Sequence, residues 1–549
     1  MSDTHNSKNQ IRLPLLLAAA VVIGIWIGSS FFSTPGGNSK YNASIQKFTQ
    51  LMDYIEHDYV DSVDTEELLE ESISQMLDKL DPHTVYIPPQ DRALAESQLR
   101  ASFDGIGVEF NLLRDTLYVV TPLAGGPSEK AGIIAGDKIV KVDGENIAGI
   151  GMDNNQVFNL LRGPRGTEVA ITVLRKGKDD LIDFSLIRNA IPQYSVDAGY
   201  MVDDEVGYIK VNKFAENTYA EFKSALEKLK EQGMTKLILD LQNNGGGYMS
   251  AAIGISDELL SDGMLIVSQK GQGTKYDSEA RATKRGIFEE GAVTVLMNEG
   301  SASASEIVAG ALQDNDRALI IGRRSFGKGL VQLPFDLKDG SELRMTIARY
   351  YTPSGRSIQK PYSEGEEAYA SDYYQRFISG ELFSQDSVHF NKDLEYETTS
   401  GRTVYGGGGI MPDYFVPLDT TYATAYVNRL FASNAVKEFT LDYRDNNKYL
   451  DEWDFEKFNK EFEVTEAMLN QVIEIGKNNG VKFREREYLK SKHFLVHLIK
   501  AQLARDTYDD NAFYKIYNQT NEIYVQALAL FNNPDLLQDK SNSLLLQKR

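Results

Sequence analysis

The sequence predicts a multidomain α/β protein: an N-terminal transmembrane helix, a short helical unit, a β-rich module, an α/β core and a helical C-terminal domain. Three observations predict it. The chain has 549 residues, 42% of them hydrophobic, which at about 100–200 residues per domain is room for three to four folded units with real cores. One uninterrupted apolar run lies near its start. Its middle alternates strand-like and helix-like apolar spacing, whereas its last ~120 residues carry the helical spacing alone.

Composition excludes several classes of chemistry. There is no cysteine, which removes thiolate catalysis, Cys-ligated zinc and iron–sulfur clusters. With 58 Lys+Arg against 79 Asp+Glu the formal charge is −21, a poor match for nucleic acid phosphates. The six histidines, His5, His57, His83, His389, His493 and His497, form no HExxH and no pair beside acidic ligands, so no metal site is expected. Neither a Walker A loop nor a GxGxxG after a strand is present.

Each element follows in chain order. Leu13–Phe32 is twenty residues without a charge, the length a helix needs to cross a ~30 Å hydrocarbon core. Lys8 and Arg12 precede it, which keeps residues 1–35 as a cytoplasmic tip and anchor and exports the rest. A cleaved signal peptide is the alternative; the run exceeds the usual ~7–15 apolar residues, and no A-x-A site follows. The expected location is the inner membrane, single pass, with the remainder periplasmic.

Residues 41–100 carry helical spacing and end in the Pro-broken DPHTVYIPP, Asp81–Pro89. Residues 101–190 read as short strands, Gly-rich turns and helices around Ser128 and Gln156. From 191 to 424 strand-like VGYIKVN, KLILDL, MLIVS, AVTVLMN and RALIIG alternate with helices, the pattern of a largely parallel sheet. A polar, irregular stretch at 358–400 is expected to be an insertion or flexible loop. Residues 425–549 read as a helical domain whose aromatic stripes are core.

Chemistry concentrates in Asn298–Gln332. A buried strand ends, Gly300 turns, and small residues lead into a helix. A serine there meets free backbone N–H groups at a helix N-terminus, where negative charge is favoured. No histidine lies between His83 and His389, so a local Ser-His-Asp triad is not expected. Lys328, between two glycines in SFGKG, is the alternative base: a desolvated lysine is a neutral amine near neutral pH. A capping cluster of Ser301, Ser303 and Ser305 with a solvated lysine is the bland reading. SxxK also occurs at Ser44/Lys47 and Ser357/Lys360, without SDN or KTG, and is read as accidental.

The run GSASASEI…GALQD…SFGKGLVQ resembles the signature of the C-terminal processing (tail-specific) serine proteases, Ser/Lys peptidases with an embedded PDZ domain. DPHTVYIPP, GIGVEF, LDLQNNGGG, TIARYYTPSGRSIQ and GGGGIMPD appear in the family's order over residues 41–420. The resemblance implies Ser303 as nucleophile, Lys328, 25 residues later, as general base, and Gln332 as the residue orienting its amine. It also puts Asp314 on an aspartate sometimes assigned to the charge relay, although a carboxylate beside the lysine would raise its pKa. Ala304 and either Gly246 or Gly247 become the oxyanion donors. Gln242 and Gly245 depart from the family's usual arginine and proline.

Within the 101–190 module, Gly105-Ile106-Gly107-Val108 matches the PDZ carboxylate loop, and the strand Val108–Leu112 would pair with an incoming peptide. AGGPSEKAGIIAGDKIVKVDG and LLRGPRGTEV keep PDZ spacing. The expected partners are therefore proteins with free apolar C-termini, with no cofactor, metal or nucleic acid. The C-terminal helical domain is a candidate surface for a homo-oligomer or adaptor. A non-catalytic PDZ scaffold and an ester or cell-wall acyl hydrolase are the alternatives.

Overall fold

The computed structural model describes residues 39–533, apart from 98, 99, 101, 114, 124, 135, 284 and 390. The predicted membrane span Leu13–Phe32 lies outside the described residues. Among those described, no helix is long and apolar enough to cross a membrane. The chain divides into two units at Met76/Leu77. The first carries α1 (Ser39–Asp58) and α2, which begins at Thr65 and runs to Leu77. Asp64 starts α2 by accepting from the N–H groups of Glu66 and Glu67 at 3.0 and 3.1 Å, the duty of an N-cap.

The second unit begins with β1 (Val85–Ile87) and α3 (Pro89–Ser97). A two-stranded stem, β2 (Ser102–Gly105) with β9 (Asn189–Pro192), leads into and out of the β-rich module. Between them lie β3 (Val108–Leu113), β4 (Thr116–Pro122), α4 (Pro127–Ala131), β5 (Lys138–Val142), β6 (Glu145–Asn146), α5 (Asn154–Leu161), β7 (Glu168–Leu174) and β8 (Ile182–Ile187). They form an antiparallel sheet in the order β3-β4-β5-β7-β8, with β6 on β5. Alternate residues Val169, Ile171 and Val173 point inward with Leu117, Ile139 and Val157, the period-2 burial of a half-covered sheet. Among the described residues β3 pairs only with β4, which leaves its other edge open.

The central sheet has the order β10 (Val196–Met201), β11 (Val206–Val211), β12 (Lys236–Asp240), β15 (Ala292–Met297), β16 (Leu319–Gly322), β21 (Tyr414–Phe415). All its neighbours are parallel except β10 on β11. Helices α6 (Thr218–Glu231), α7 (Met249–Asp257) and α8 (Ala304–Asp314) cover one face; Phe222, Leu226, Ile255, Ile307 and Leu312 pack there on Ile209, Leu239 and Val295.

The structure corrects three of the sequence readings. MLIVS does not join the parallel sheet: its strand β13 (Leu265–Gly271) pairs antiparallel with β14 (Gly273–Arg281) and with β18 (Glu342–Tyr351), which also carries β1 and β17 (Leu330–Asp336). An apolar run has the same period in either sheet, so spacing could not assign it. The stretch 358–400 is no loose loop. It holds α9 (Glu366–Ala370), α10 (Asp372–Ile378) and β19 (Glu395–Glu397), which pairs with β20 (Thr403–Tyr405). Tyr369, Arg376 and Leu382 within it are buried.

The third correction concerns the C-terminal helices. The predicted 425–549 domain is two structures. Helices α11 (Ala425–Ala432), α12 (Ala435–Asn446), α13 (Phe455–Glu461), α14 (Glu466–Asn478) and α15 (Glu485–Thr507) share their own core, centred on Leu430, Phe439, Phe458, Val472 and Leu495. By contrast α17 (Glu522–Asn532) belongs to the central sheet, and α16 (Asp510–Tyr517) bridges the two, with Ala512 and Ile516 in the helical core and Tyr514 on the sheet side. Ile523, Tyr524, Ala527 and Leu530 cover its second face, where Tyr208, Ile238, Leu296 and Ile321 point away from α6–α8.

Candidate active site

Parallel strands present their C-terminal ends on one side of a sheet, and here three neighbours do so. β12 feeds the loop Leu241–Gly247, β15 feeds Asn298–Ser303, and β16 feeds Arg323–Gly329. Side chains tie the first two loops together. Asn298 Oδ1 accepts from Asn243 N–H at 2.8 Å and its Nδ2 donates to Asn243 Oδ1 at 2.9 Å. Ser301 Oγ donates to the Leu241 carbonyl and Ser305 Oγ to the Asn244 carbonyl, both at 2.8 Å. Of the serine cluster, Ser301 and Ser305 are thus spent on loop carbonyls; Ser303 is the half-buried one.

Ser303 stands at the N-cap of α8 with φ 56° and ψ −112°, a conformation that L-residues seldom adopt and that marks a functional constraint where surroundings enforce it. The enforcing residue is Glu306, one turn into the helix and fully buried. Its carboxylate accepts from Ser303 N–H at 2.7 Å, Lys328 N–H at 2.9 Å and Gly327 N–H at 2.7 Å, and from the Ser325 hydroxyl. One side chain therefore fixes the backbone at both predicted catalytic positions. Tyr350 adds a second clasp, its hydroxyl lying 3.1 Å from the Ser303 carbonyl and 2.6 Å from that of Lys328. Burial pushes the Glu306 carboxyl up to about 7 against these four donors.

Burial also pulls the Lys328 amine below the ordinary lysine range, more strongly than Asp81 and Glu306 raise it. That shift is the one a general base needs. Gln332, on β17, donates its Nε2 to Thr346 Oγ1 at 3.2 Å. Gly246 lies against the nucleophile: a Cβ there would sit 2.7 Å from Ser303 Cβ and 3.0 Å from Ala304 N. Only glycine permits that approach, and at φ +97°. The Ala304 N–H, first in its helix, has no intrahelical partner by position. Gly246 N–H, in contrast, donates to Asn244 Oδ1 at 2.9 Å. Gly247 approaches Phe214 so closely that a Cβ would fall 2.1 Å from its carbonyl oxygen.

Asp314 is not brought to this cluster. It ends α8, roughly 16 Å along the helix from Ser303 at about 1.5 Å per residue. There it is fully buried, paired with Arg356 at 2.7 Å and accepting from Ser354 N–H and Oγ at 3.1 and 2.6 Å. This is a packing and hydrogen-bonding role, and the charge-relay assignment is set aside.

Sequence reasoning missed Glu306 and Tyr350, and read DPHT as a motif without placing it at the site. His83 is the histidine that folding brings near Lys328. Its Nε2 lies 2.8 Å from the Tyr369 hydroxyl, and burial holds its pKa at about 4, too low for a strong base. Lys360, the second accidental SxxK lysine, is held by the Tyr369 carbonyl and Asp372 with Phe326 and Tyr369 rings 4.0 Å away. The 358–400 stretch also supports the site: Arg376 donates to the carbonyls of Ser325 and Arg324 at 3.1 and 2.6 Å.

In the β-rich module the carbonyls of the proposed carboxylate loop are turned inward. Ile106 accepts from Ser128 N–H and Oγ at 3.0 and 2.7 Å, and Gly107, at φ +74°, accepts from Leu123 N–H at 2.9 Å. Val108 begins the open-edged β3, facing α5 through Phe110 and Phe158 with rings 5.3 Å apart. Arg162, unmarked in the sequence, stacks 4.7 and 4.6 Å from Phe103 and Phe158 with a buried Nε that has no hydrogen-bond partner among the described residues.

The family model "Peptidase family S41" matches residues 205–365, the part holding Ser303 and Lys328. A carboxy-terminal-processing protease of Bartonella bacilliformis is 35% identical over 347 residues, covering 62% of this chain and 79% of that one. The chain belongs to peptidase family S41. Like its S41 relatives it is a serine protease of the carboxyl-terminal processing type, with a PDZ domain matched at 118–175 and an "Activating protease CtpB N-terminal domain" at 32–90. A family of unknown function, DUF8443, matches 426–509, the separate helical core. The S41 relative from Synechocystis, a carboxyl-terminal-processing protease, is 37% identical over 300 residues, covering 53% of this chain and 68% of that one. A solved photosystem II D1 C-terminal processing protease shares 32% identity, covering 57% of this chain and 83% of that one, with TM-score 0.33.

Proposed function

We propose that this S41 protease is an endopeptidase anchored by Leu13–Phe32 in the inner membrane, acting in the periplasm on proteins with free apolar C-termini. Ser303 Oγ attacks the peptide carbonyl as Lys328 Nζ takes its proton. The Ala304 N–H and a glycine of the Gly246-Gly247 pair hold the oxyanion, and Lys328 returns the proton to the leaving amine. Water then hydrolyses the acyl-enzyme. Of the two glycines Gly247 is the better donor, since Gly246 N–H is already engaged by Asn244. The observation that carries the reading is Ser303 at φ 56° beside Gly246, with Glu306 binding its backbone to that of a buried lysine.

The substrate tail adds a strand to β3, its carboxylate at Gly105–Val108 beside the Arg162 guanidinium. The helical domain at 425–509 supplies the surface for a homo-oligomer or adaptor. A non-catalytic scaffold would need no strained serine, which disfavours that reading. The test compares one unfolded protein with a free apolar C-terminus and with the same C-terminus amidated. Cleavage of the first and slow cleavage of the second is expected. Equal rates would refute tail recognition, and tight tail binding without cleavage would favour the scaffold.

A further inference from the structure

The DPHT turn reaches the active site because β1, which follows it, pairs with β18, Val85 opposite Arg344. Asp81 in that turn is buried and takes four donors: His83 N–H at 2.9 Å, Thr84 N–H at 3.0 Å, Thr84 Oγ1 at 2.6 Å and Thr346 Oγ1 at 3.0 Å. An ionised carboxylate only accepts, so the single hydroxyl proton of Thr346 goes to Asp81. The Thr346 oxygen is then left to accept, and it takes Gln332 Nε2 at 3.2 Å. This polarity decides which way the Gln332 amide faces, a choice that its shape alone leaves open. With NH2 toward Thr346, the amide oxygen is the end available to the Lys328 amine.

We propose that Asp81 is a positioning residue for the general base: through Thr346 it sets the Gln332 amide so that Oε1 accepts from Lys328 and leaves the amine lone pair for Ser303. It rests on the Ser303/Lys328 reading and adds to it a chain of groups from a turn more than two hundred residues away. The groups facing Lys328 are Asp81 and His83 from the turn, Glu306 from α8 and Arg344 from β18. Lys360 and Tyr369 stand behind His83. Among these, Asp81 and Glu306 raise the lysine's pKa and Arg344 lowers it.

The test measures kcat and KM of the full-length chain on an unfolded protein substrate from about pH 6 to 10, with melting temperatures alongside. Thr346→Val, which keeps the shape and removes the hydroxyl, should lower kcat about 10–100-fold at unchanged KM, a part of the 10²–10⁴ that a general base supplies. Thr346→Ser should restore it. Asp81→Asn should lower kcat and also move the acid limb to lower pH, because the anion that raises the Lys328 pKa is gone. The limb reads the lost charge alone; the fall in kcat at unchanged KM, restored by Thr346→Ser, reads the positioning. Native kcat in a folded Thr346→Val, or native plateau kcat in a folded Asp81→Asn, overturns the proposal. If Asp81→Asn does not fold, the Thr346 pair decides. Ser303→Ala is the control that separates the two readings: full activity there refutes the Ser/Lys mechanism itself, not this chain of positioning groups.

Discussion

At the scale of single residues, the site is a strained serine held by its neighbours. A backbone at φ 56° and ψ −112° costs about 1–3 kcal/mol, and Glu306 is what holds it. Glu306→Gln turns an amide NH2 toward groups that themselves donate, so we expect a loss of at least about 2 kcal/mol in denaturant melts together with loss of activity. Gly246→Ala places a methyl 2.7 Å from Ser303 Cβ and should cost about 10²–10³ in kcat, the scale of a lost oxyanion contact. Lys328 separates stability from function. Its folded-state pKa is depressed, so the fold is stabilised above the lysine's unfolded pKa and loses that stability as pH falls through the folded value. At neutral pH a desolvated amine therefore opposes folding, and Lys328→Met should raise the melting temperature while abolishing proteolysis. The local signals, small residues after a buried strand and a lysine between glycines, marked the stretch, and the family resemblance singled out Ser303 and Lys328 within it. Thr346 and Asp81 were not legible, since they meet 265 positions apart, and Glu306 reads in sequence as an ordinary capping-box residue.

Among the elements, three adjacent parallel strands explain why LQNNGGG, NEGSAS and SFGKG converge. Their alternation with helices was readable from periodicity. What periodicity could not show is which apolar surface an amphipathic helix covers, and so α17 was placed with the wrong partners. It is the second face of the sheet. Leu530→Ala, at a fully buried position on that face, should cost about 2–5 kcal/mol. A chain ending at residue 509 should lose cooperative unfolding altogether, because Tyr208, Ile238 and Leu296 would face water. At the far end of α8, Asp314→Ala leaves Arg356 buried without its partner, at a cost of about 3–5 kcal/mol. The variant should keep the wild-type pH profile where it remains folded, a result that a charge-relay role forbids.

Across the second unit as a whole, the separate helical core is seated on the PDZ module. Lys176 Nζ donates to Asn446 Oδ1 at 2.8 Å, and Gly136 lies so close to Asp445 that a Cβ would be 3.1 Å from Oδ2. Asn446→Arg would oppose Lys176 with a like charge, and small-angle scattering should then show a larger radius of gyration with the melting temperature little changed. Neither the seat nor its partner could be read from sequence, since exposed Lys, Asn and Asp look the same in or out of an interface. The family and the domain order were legible because several motifs fall in register along one chain. The central claim is that Ser303 and Lys328 together cleave the peptide bond, and its most direct test is the rate of proteolysis of one unfolded, apolar-tailed substrate by the full-length chain, Ser303→Ala and Lys328→Ala across pH. Both variants should fall by about 10⁴-fold or more, and the parent's rate should rise with pH as Lys328 loses its proton. Undiminished cleavage by either variant, or a parent rate that peaks in acid, would contradict the account.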